Sequence, residues 1–287
     1  MPTYKTHSIH IDKSSDYIDS RIELDKEDLK VFSFGPDVFA LTDSNTFNTQ
    51  HNKDSRYFFE CLLNNIKTEK ALDNKELIGF LYGELSHFIV DATFHPYIYY
   101  LTENMKSTGI INPHLQMELL LDSYFMKKYG VTSKDYYSKT GIRDLKAREV
   151  IDRVYSYIFN CLKASSKFDI GLNAILLFEN AVRSNKTLST ICSFVGDFEY
   201  HDKDVYSPFL NANRSGWLDP ITGEEHEESI NELWNQSVGN FIEAVDDVNR
   251  FLYDDKPLKN RFITNNLSYD TAQHCDVPKK LIYTKRY

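Results

Sequence analysis

The chain has 287 residues, of which 41% are hydrophobic and 14% aromatic, and its formal net charge is −9. It is long enough for one large domain or two smaller ones. Its negative charge argues against nonspecific electrostatic binding to nucleic acid or to an anionic membrane. No run of about eighteen apolar residues occurs, and the first residues, MPTYKTHSIHIDKSS, lack the apolar core of a signal peptide. We therefore expect a cytoplasmic protein without a transmembrane segment.

The cysteines do not indicate a site of their own. Cys61, Cys161, Cys192 and Cys275 lie far apart and form no CxxC pair. Neither a disulfide framework nor a thiolate zinc site is therefore expected.

The first fifty residues combine histidines with polar segments. His7 and His10 precede a charged run, DKSSDYIDSRIELDKEDLK. The apolar run VFSFGPDVFAL is then broken by a Gly-Pro pair, which predicts a turn that holds Asp37. The polar stretch TDSNTFNTQHNKDS predicts a loop that carries His51.

Helical patterns begin after this loop, first over residues 55–67. Asp73, with Glu76 three residues later, predicts a capping box at the start of the next helix. That helix is apolar almost all round, so we expect it to be buried. Gly79 and Gly83 share a face with His87, which predicts the close approach of another backbone there.

Pro96 disfavours helical geometry at His95, so we expect the helix to end or kink at that point. Asn112-Pro113 predicts the start of another helix, which should end at Gly130. Further helices are predicted at about 145–164, 169–185 and 226–254, with a loop over 207–229.

These elements predict an all-α fold. We expect a single multi-helix domain over residues 1–255. Residues 256–287 are polar and irregular, and we expect them to form a C-terminal tail that packs on this domain or extends from it.

Two pairs of residues suggest a metal site: His87 with Asp91, and His114 with Glu118. Side chains four apart on a helix point the same way, with Cβ atoms about 6 Å apart, so each pair can reach one ion. Imidazole and carboxylate suit Zn²⁺, and less distinctively Mn²⁺ or Fe²⁺. An unpaired carboxylate in such apolar sequence would cost several kcal/mol, and metal coordination would remove that cost.

A single such pair is more often a hydrogen-bonded pair without a metal, and His95 alone is explained equally well as a core histidine. Two pairs within about thirty residues, together with Asp37 and His51, favour a metal site.

The order THxxH, GPD, a further histidine, GxxxHxxxDxxxH and HxxxE resembles the bacterial zinc-dependent phospholipase C family. The segment WLDPITGEEHEESINELWNQS is similar to an intracellular, uncharacterised branch of it, and fungal single-strand nucleases are related. The resemblance covers roughly residues 3–250. It implies a mostly helical fold around a di- or trinuclear zinc cluster.

Carried over position by position, the resemblance implies that Asp37, His51 and His87 bind one zinc. Asp91 would bridge this ion to a neighbouring ion bound by His7. His95, His114 and Glu118 would hold the remaining ion. The implied metal ligands are His7, Asp37, His51, His87, Asp91, His95, His114 and Glu118.

The chain departs from the family in three ways. Secreted members use the amino group of a processed N-terminal tryptophan as a ligand, whereas this chain begins Met-Pro-Thr-Tyr. The gap between Asp91 and His95 is shorter, and no membrane-binding β-domain follows. His10 has no clear counterpart and is an alternative to His7, and Asp122 is expected to orient a ligand histidine.

The resemblance also implies a reaction. Three zinc ions bring +6 and the three carboxylates −3, which leaves about +3 and favours a phosphate ester. A metal-bound hydroxide would attack phosphorus, and Asp37 is the implied general base.

Three functions compete. The first is hydrolysis of a phospholipid head group. The second is the same chemistry on a nucleotide or single-stranded nucleic acid, with Tyr97 or Tyr99 stacking on bases, although tyrosines in such sequence are more often core and no basic track is visible. The third is a non-enzymatic helical protein with structural metal.

Overall fold

A computed structural model of the protein describes residues 4–18, 21–108, 112–131, 141–184 and 209–286. The predicted all-α architecture is confirmed, because strand structure in the described residues is confined to one two-stranded sheet and isolated bridges. Cys192, the predicted helix end at Asn185 and the start of the predicted loop at 207 lie outside these residues. The helices are α1 Tyr4–Ser14, α2 Lys26–Phe32, α3 Ser44–Asn52, α4 Ser55–Thr68, α5 Lys75–Thr102, α6 Pro113–Tyr129, α7 Leu145–Phe159, α8 Ala164–Ser184, α9 Ile230–Asp254 and α10 Arg261–Thr264.

Shorter elements connect these helices. Three 3₁₀ segments cover Ser15–Tyr17, Gly35–Leu41 and Glu103–Thr108. Strands β1 (Trp217–Leu218) and β2 (Glu225–His226) pair antiparallel, with Trp217 opposite His226. The predicted final long helix therefore begins later than expected, at Ile230, where Ser229 and Glu232 form a capping box.

Helix α5 is the central element of the fold, with 28 residues and contacts to α1, α2, α6 and α9. Its N-cap is Asn74, whose side chain accepts a hydrogen bond from the Leu77 N–H, so the predicted capping box at Asp73 is wrong. The Glu76 carboxylate instead accepts from the backbone N–H groups of Arg143 and Asp144.

The sequence predicts that this helix ends or kinks at His95, and the predicted end is wrong, because α5 continues to Thr102. Proline removes one backbone donor and crowds the preceding turn. Here the surrounding segment is buried on both sides of the proline, from Phe94 to Ile98, so packing holds the helical geometry. As a result, His95 stays in helical register with His87 and Asp91.

The two glycines of α5 behave differently. A Cβ at Gly83 would lie 2.5 Å from the carbonyl carbon of Phe32, so α2 can pack this closely only because residue 83 lacks a side chain. A Cβ at Gly79 would meet the Phe32 ring at 3.6 Å, which is ordinary van der Waals contact. The predicted close approach is therefore confirmed at Gly83 and absent at Gly79.

The sequence patterns missed α2 and two further helices near the N-terminus that carry candidate ligands. The segment that carries His7 and His10 forms α1, and His51 lies on α3 rather than on a loop. Asp43 caps α3 by accepting a hydrogen bond from the Thr46 N–H. Both helices are short, and their apolar side chains are too few to give a clear period.

The apolar side chains form two clusters against α5. The larger contains Phe32, Phe80 and Phe88, and the smaller contains Phe125 and Trp234. Residues of the C-terminal part, Phe262, Ile263 and Tyr269, are buried in the larger cluster.

Candidate metal centre

Polar side chains converge on the middle of α5. His87, Asp91 and His95 follow one another at four-residue spacing on this helix, and all three are buried. The opposing residues come from α1, the 3₁₀ segment Gly35–Leu41, α3 and α6. Three sets of residues each bring their ligand atoms, one per residue, to within 4.8 Å of one another. The first set is His7, His87 and Asp91, the second is Asp37, His51 and His87, and the third is His95, His114 and Glu118.

Asp91 lies at the centre of these contacts. Its Oδ1 is 3.2 Å from Nε2 of His7, and its Oδ2 is 3.1 Å from Nε2 of His87. Nε2 of His51 is 3.6 Å from Oδ2, and Nε2 of His95 is 3.9 Å from Oδ1. The carboxylate therefore faces four imidazoles, as a residue that bridges two ions would.

Asp37 faces the same region from the opposite wall. Its Oδ1 lies 3.2 Å from Nε2 of His51, and its Oδ2 lies 3.9 Å from Nε2 of His87. The predicted turn takes the form of a 3₁₀ helix that begins at Gly35, which has a φ of 52°. A Cβ at Gly35 would lie 2.5 Å from Cγ of His87, so glycine is required both by the backbone and by the histidine ring.

The third set joins α5 to α6. Glu118 Oε1 lies 3.2 Å from Nε2 of His95 and 3.0 Å from Nε2 of His114. Helix α6 begins after Asn112, whose side chain accepts a hydrogen bond from the Leu115 N–H. It ends at the C-cap Gly130, as the sequence pattern predicts. The start of α6 therefore brings His114 and Glu118 to α5 on consecutive turns.

Three of the histidines use their other ring nitrogen in the same way. Nδ1 of His51 lies 2.7 Å from the Phe47 carbonyl oxygen, Nδ1 of His87 lies 3.0 Å from that of Ser33, and Nδ1 of His95 lies 3.1 Å from that of Tyr269. A carbonyl only accepts, so each Nδ1 carries a proton and a neutral ring has a bare lone pair at Nε2.

Each of these bare nitrogens faces a carboxylate, which also only accepts hydrogen bonds. Two facing acceptors at about 3 Å require a cation between them, either a proton or a metal ion. Both carboxylate oxygens of Asp37 and Nε2 of His87 are buried without a hydrogen-bond partner. Nitrogen and oxygen donors in this arrangement fit zinc.

In the absence of metal, protons take the place of this cation. Burial lowers the pKa of His51, but the neighbouring carboxylates of Asp37 and Asp91 outweigh it and raise the pKa well above its usual value. Burial also lowers the pKa of His95, but neighbouring carboxylates outweigh it and raise the pKa to about 9. Burial raises the pKa of Glu118, but His114 and His95 outweigh it and lower the pKa to about 2. Burial and the neighbouring His87 lower the pKa of His7.

A cavity of about 10 Å³ lies between the first and third sets, with His7, Asp91, His95 and Glu118 in its wall. That volume matches roughly one water-sized sphere. Apolar side chains that include Val90, Phe94 and Leu121 complete the wall. The space between the sets is thus limited to one small species.

Other residues singled out in the sequence lie elsewhere. Nδ1 of His10 is 2.8 Å from the Ser86 hydroxyl and its ring packs edge-on against Trp234, so His7 and not His10 faces Asp91. Asp122 accepts hydrogen bonds from the backbone N–H and hydroxyl of Thr6, both at 2.7 Å. These two bonds tie α6 to α1 at the residue before His7.

Of the two tyrosines proposed to stack on bases, Tyr97 is only 2% exposed and donates its hydroxyl to the Phe209 carbonyl. It is a core residue. The Tyr99 ring packs on His114, with a centroid distance of 4.6 Å, and so lies beside the third set.

The sequence patterns did not indicate Tyr269 and Asp270. Tyr269 accepts from His95 through its carbonyl, and Oδ1 of Asp270 lies 3.7 Å from Nδ1 of the same histidine. Both residues are in the polar C-terminal tail, where no periodicity or motif marks them.

A helical fold with buried histidines and carboxylates on the longest of its described helices fits the class of metal-binding helical proteins. Within that class, the sequence model of the zinc dependent phospholipase C family matches residues 6–168. The match covers more than half of the chain, so the chain belongs to this family, as the order of its motifs predicts. No curated protein and no solved structure matches the chain.

Family membership supports a phospholipase C-like function, and the buried histidine and aspartate groups fit zinc binding. All eight implied ligands lie inside the matched residues. Within the described part of the chain, every helix is too short or too polar to cross a membrane.

Proposed function

We propose that this protein is a zinc-dependent phosphodiester hydrolase of the phospholipase C type, with a phospholipid head group as the preferred substrate class. The observation that carries the proposal is the meeting of eight residues, from five separate elements, in three sets of buried nitrogen and oxygen atoms. Their donor types suit zinc, and the Nε2 atoms of His51, His87 and His95 face carboxylate oxygens.

In this proposal, Asp37, His51 and His87 hold one ion, and His95, His114 and Glu118 hold another. A third ion would lie between His7 and Asp91. Because Nδ1 of His87 already donates to the Ser33 carbonyl, His87 has one free lone pair and serves one ion. Two ions are expected if His7 and Asp91 act only as bridging and hydrogen-bonding groups, and three if they hold an ion of their own.

Zinc, when bound, supplies Lewis-acid chemistry that acidifies water and offsets the charge of a phosphate ester. Asp37 is the proposed general base. It is 2% exposed, its Oδ1 faces His51, and its Oδ2 is farther from the nearest imidazole and so is free to accept a proton from the attacking water. Asp91 and the carbonyl-anchored histidines would hold the metal whose charge offsets that of the substrate phosphate. Val90, Phe94 and Leu121 exclude bulk water from the space beside them.

The first test is the metal content of the purified protein, with His87→Ala and Glu118→Ala as variants. We expect two or three zinc ions per chain, fewer in both variants, and turnover of a chromogenic phosphodiester and of phosphatidylcholine by the wild type only. His274→Ala is the matched control, because its ring is half exposed and belongs to none of the three sets.

Wild-type protein purified without chelator that contains no zinc would contradict the proposal. Full zinc content without turnover of any phosphodiester would favour structural metal. Turnover of single-stranded DNA but not of phosphatidylcholine would assign the same centre to a nuclease. Asp37→Asn with full zinc and near-normal turnover would remove Asp37 as the base.

A further inference from the structure

The C-terminal segment, residues 265–286, forms part of the wall of the centre although it lies outside the residues that the family model matches. The Tyr269 N–H donates to the His51 carbonyl at 2.9 Å, and the Tyr269 carbonyl accepts from Nδ1 of His95. The Ser268 hydroxyl also donates to the His51 carbonyl. One short stretch of the segment thus connects ligand candidates on α3 and α5.

Asp270, the next residue, brings a negative charge to this wall. Its Oδ1 lies 3.7 Å from Nδ1 of His95, while Glu118 faces Nε2 on the other edge of the same ring. The side chain of Asp270 is 15% exposed. Because Asp270 and Glu118 face opposite nitrogens, Asp270 is not positioned to share an ion with Glu118, and it acts on the ring from behind.

Two neighbours hold Asp270 in place. The Lys279 ammonium donates to Oδ2 of Asp270 at 2.8 Å and to the Tyr99 hydroxyl at 2.6 Å. Tyr99 in turn packs against the rings of both His95 and His114. Lys279, Tyr99 and Asp270 therefore form a connected group beside the third set of ligand candidates.

We propose that Asp270 is a positioning residue for His95 and sets the affinity of the ion held by His95, His114 and Glu118, an inference that rests on the proposed zinc centre. A carboxylate behind the far nitrogen of a ligating histidine fixes the tautomer and makes the ligating nitrogen more basic. The Tyr269 carbonyl already takes the proton of Nδ1, so Asp270 contributes mainly its charge. Asparagine at this position would keep the shape and remove that charge.

The test is the zinc affinity of full-length Asp270→Asn, measured by competition with a chromophoric chelator. We expect one ion to bind about 10- to 100-fold more weakly and the other or others to be unchanged. With Co²⁺ in place of zinc, the absorption of one ion should change and that of the rest should persist. Asp276→Asn is the matched control, because Asp276 lies in the same segment with a side chain 90% exposed.

Several outcomes would overturn the proposal. Unchanged affinity for every ion in Asp270→Asn would remove Asp270 as a positioning residue, and equal weakening of all ions would show a general role of the wall. If Asp270→Asn fails to fold, Asp270→Ser takes its place, since it also removes the charge and should weaken the same single ion. Unchanged affinities in that variant would also count against the proposal.

The two proposals fail in different ways. Wild type that binds zinc but turns over no phosphodiester would contradict the proposed hydrolase and leave the role of Asp270 intact. Hydrolase activity of the wild type, together with unchanged zinc affinity in Asp270→Asn, would support the proposed hydrolase and contradict the role of Asp270. Wild type without zinc would contradict both.

Discussion

At the scale of single residues, the centre depends on how each histidine divides its two nitrogens. His51, His87 and His95 give Nδ1 to a backbone carbonyl, which fixes the ring and leaves Nε2 to face a carboxylate. His10 is equally buried, but its Nδ1 lies against the hydroxyl of Ser86 and aromatic rings surround it. The difference between a ligand candidate and a core histidine is therefore the identity of its neighbours and not its degree of burial.

A buried acid next to this centre should make stability depend on pH. Glu84, one turn before His87, is fully buried and accepts hydrogen bonds from Gln50 and Tyr155. Burial raises its pKa to about 7. The folded state thus holds a proton that the unfolded chain releases near pH 4.5, so the stabilising contribution is complete below pH 4.5 and is lost as pH rises through about 7.

Glu84→Gln removes this titration. In zinc-free protein, we expect the variant to gain stability over wild type by roughly 3 kcal/mol between pH 4.5 and pH 8, since each pKa unit corresponds to about 1.36 kcal/mol. Urea unfolding at several pH values measures it. Glu60→Gln, on the exposed face of α4, should show no such trend, and a parallel pH dependence of Glu84→Gln and wild type would contradict the assignment.

At the scale of elements, α5 positions the centre because it is long, buried and packed closely against α2. Its continuation through Pro96 keeps His95 on the same face as His87, and thereby allows α6 to complete the third set. The close packing of α2 depends on Gly83, and that of the 3₁₀ segment on Gly35.

The glycine pair of α5 gives a matched test of this packing. Gly83→Ala places a Cβ 2.5 Å from a backbone carbon of α2, so the helices must separate, and we expect a loss of about 2 kcal/mol or more in the free energy of unfolding. Gly79→Ala meets only ordinary contact and should gain up to about 1 kcal/mol from helix propensity. Denaturant unfolding of both variants measures the difference, and equal effects would show that the approach of α2 is not limited by residue 83.

At the scale of the whole molecule, the ligand candidates join α1, the 3₁₀ segment Gly35–Leu41, α3, α5 and α6. The three carboxylates of the centre, Asp37, Asp91 and Glu118, are all buried and face imidazoles. The C-terminal segment covers the same region from outside the family-matched residues. Bound metal should therefore link elements that are distant in the chain and stabilise the fold as a unit.

Removal of metal should lower the melting temperature. A ligand present at 100 times its dissociation constant stabilises the folded state by about 2.7 kcal/mol, and two or three tight ions should exceed this. We expect a chelator such as EDTA to cause a clear fall in calorimetric melting temperature. Added Zn²⁺ should restore it and Mg²⁺ should not, because Mg²⁺ prefers octahedral oxygen ligands. An unchanged melting temperature after complete removal of zinc would contradict a linking role.

Local patterns in the sequence predicted the parts of the structure that depend on neighbours a few residues away. Asn112-Pro113 and Gly130 bound α6, the apolar run marks α5 as buried, and the four-residue spacing brings His87 to Asp91 and His114 to Glu118. These features follow from helix geometry and capping, which act within one or two turns.

Tertiary structure decided the rest. Periodicity does not tell which of His7 and His10 faces Asp91, because both are buried on the same short helix and both contact α5. His10 meets Ser86 and packs against aromatic rings of α9, whereas His7 meets Asp91. The arrival of Asp37 and His51 beside His87, and of Asp270 behind His95, depends on contacts between segments far apart in the chain. Spacing therefore determined the ligand pairs within a helix, whereas long-range packing determined how pairs from different helices meet.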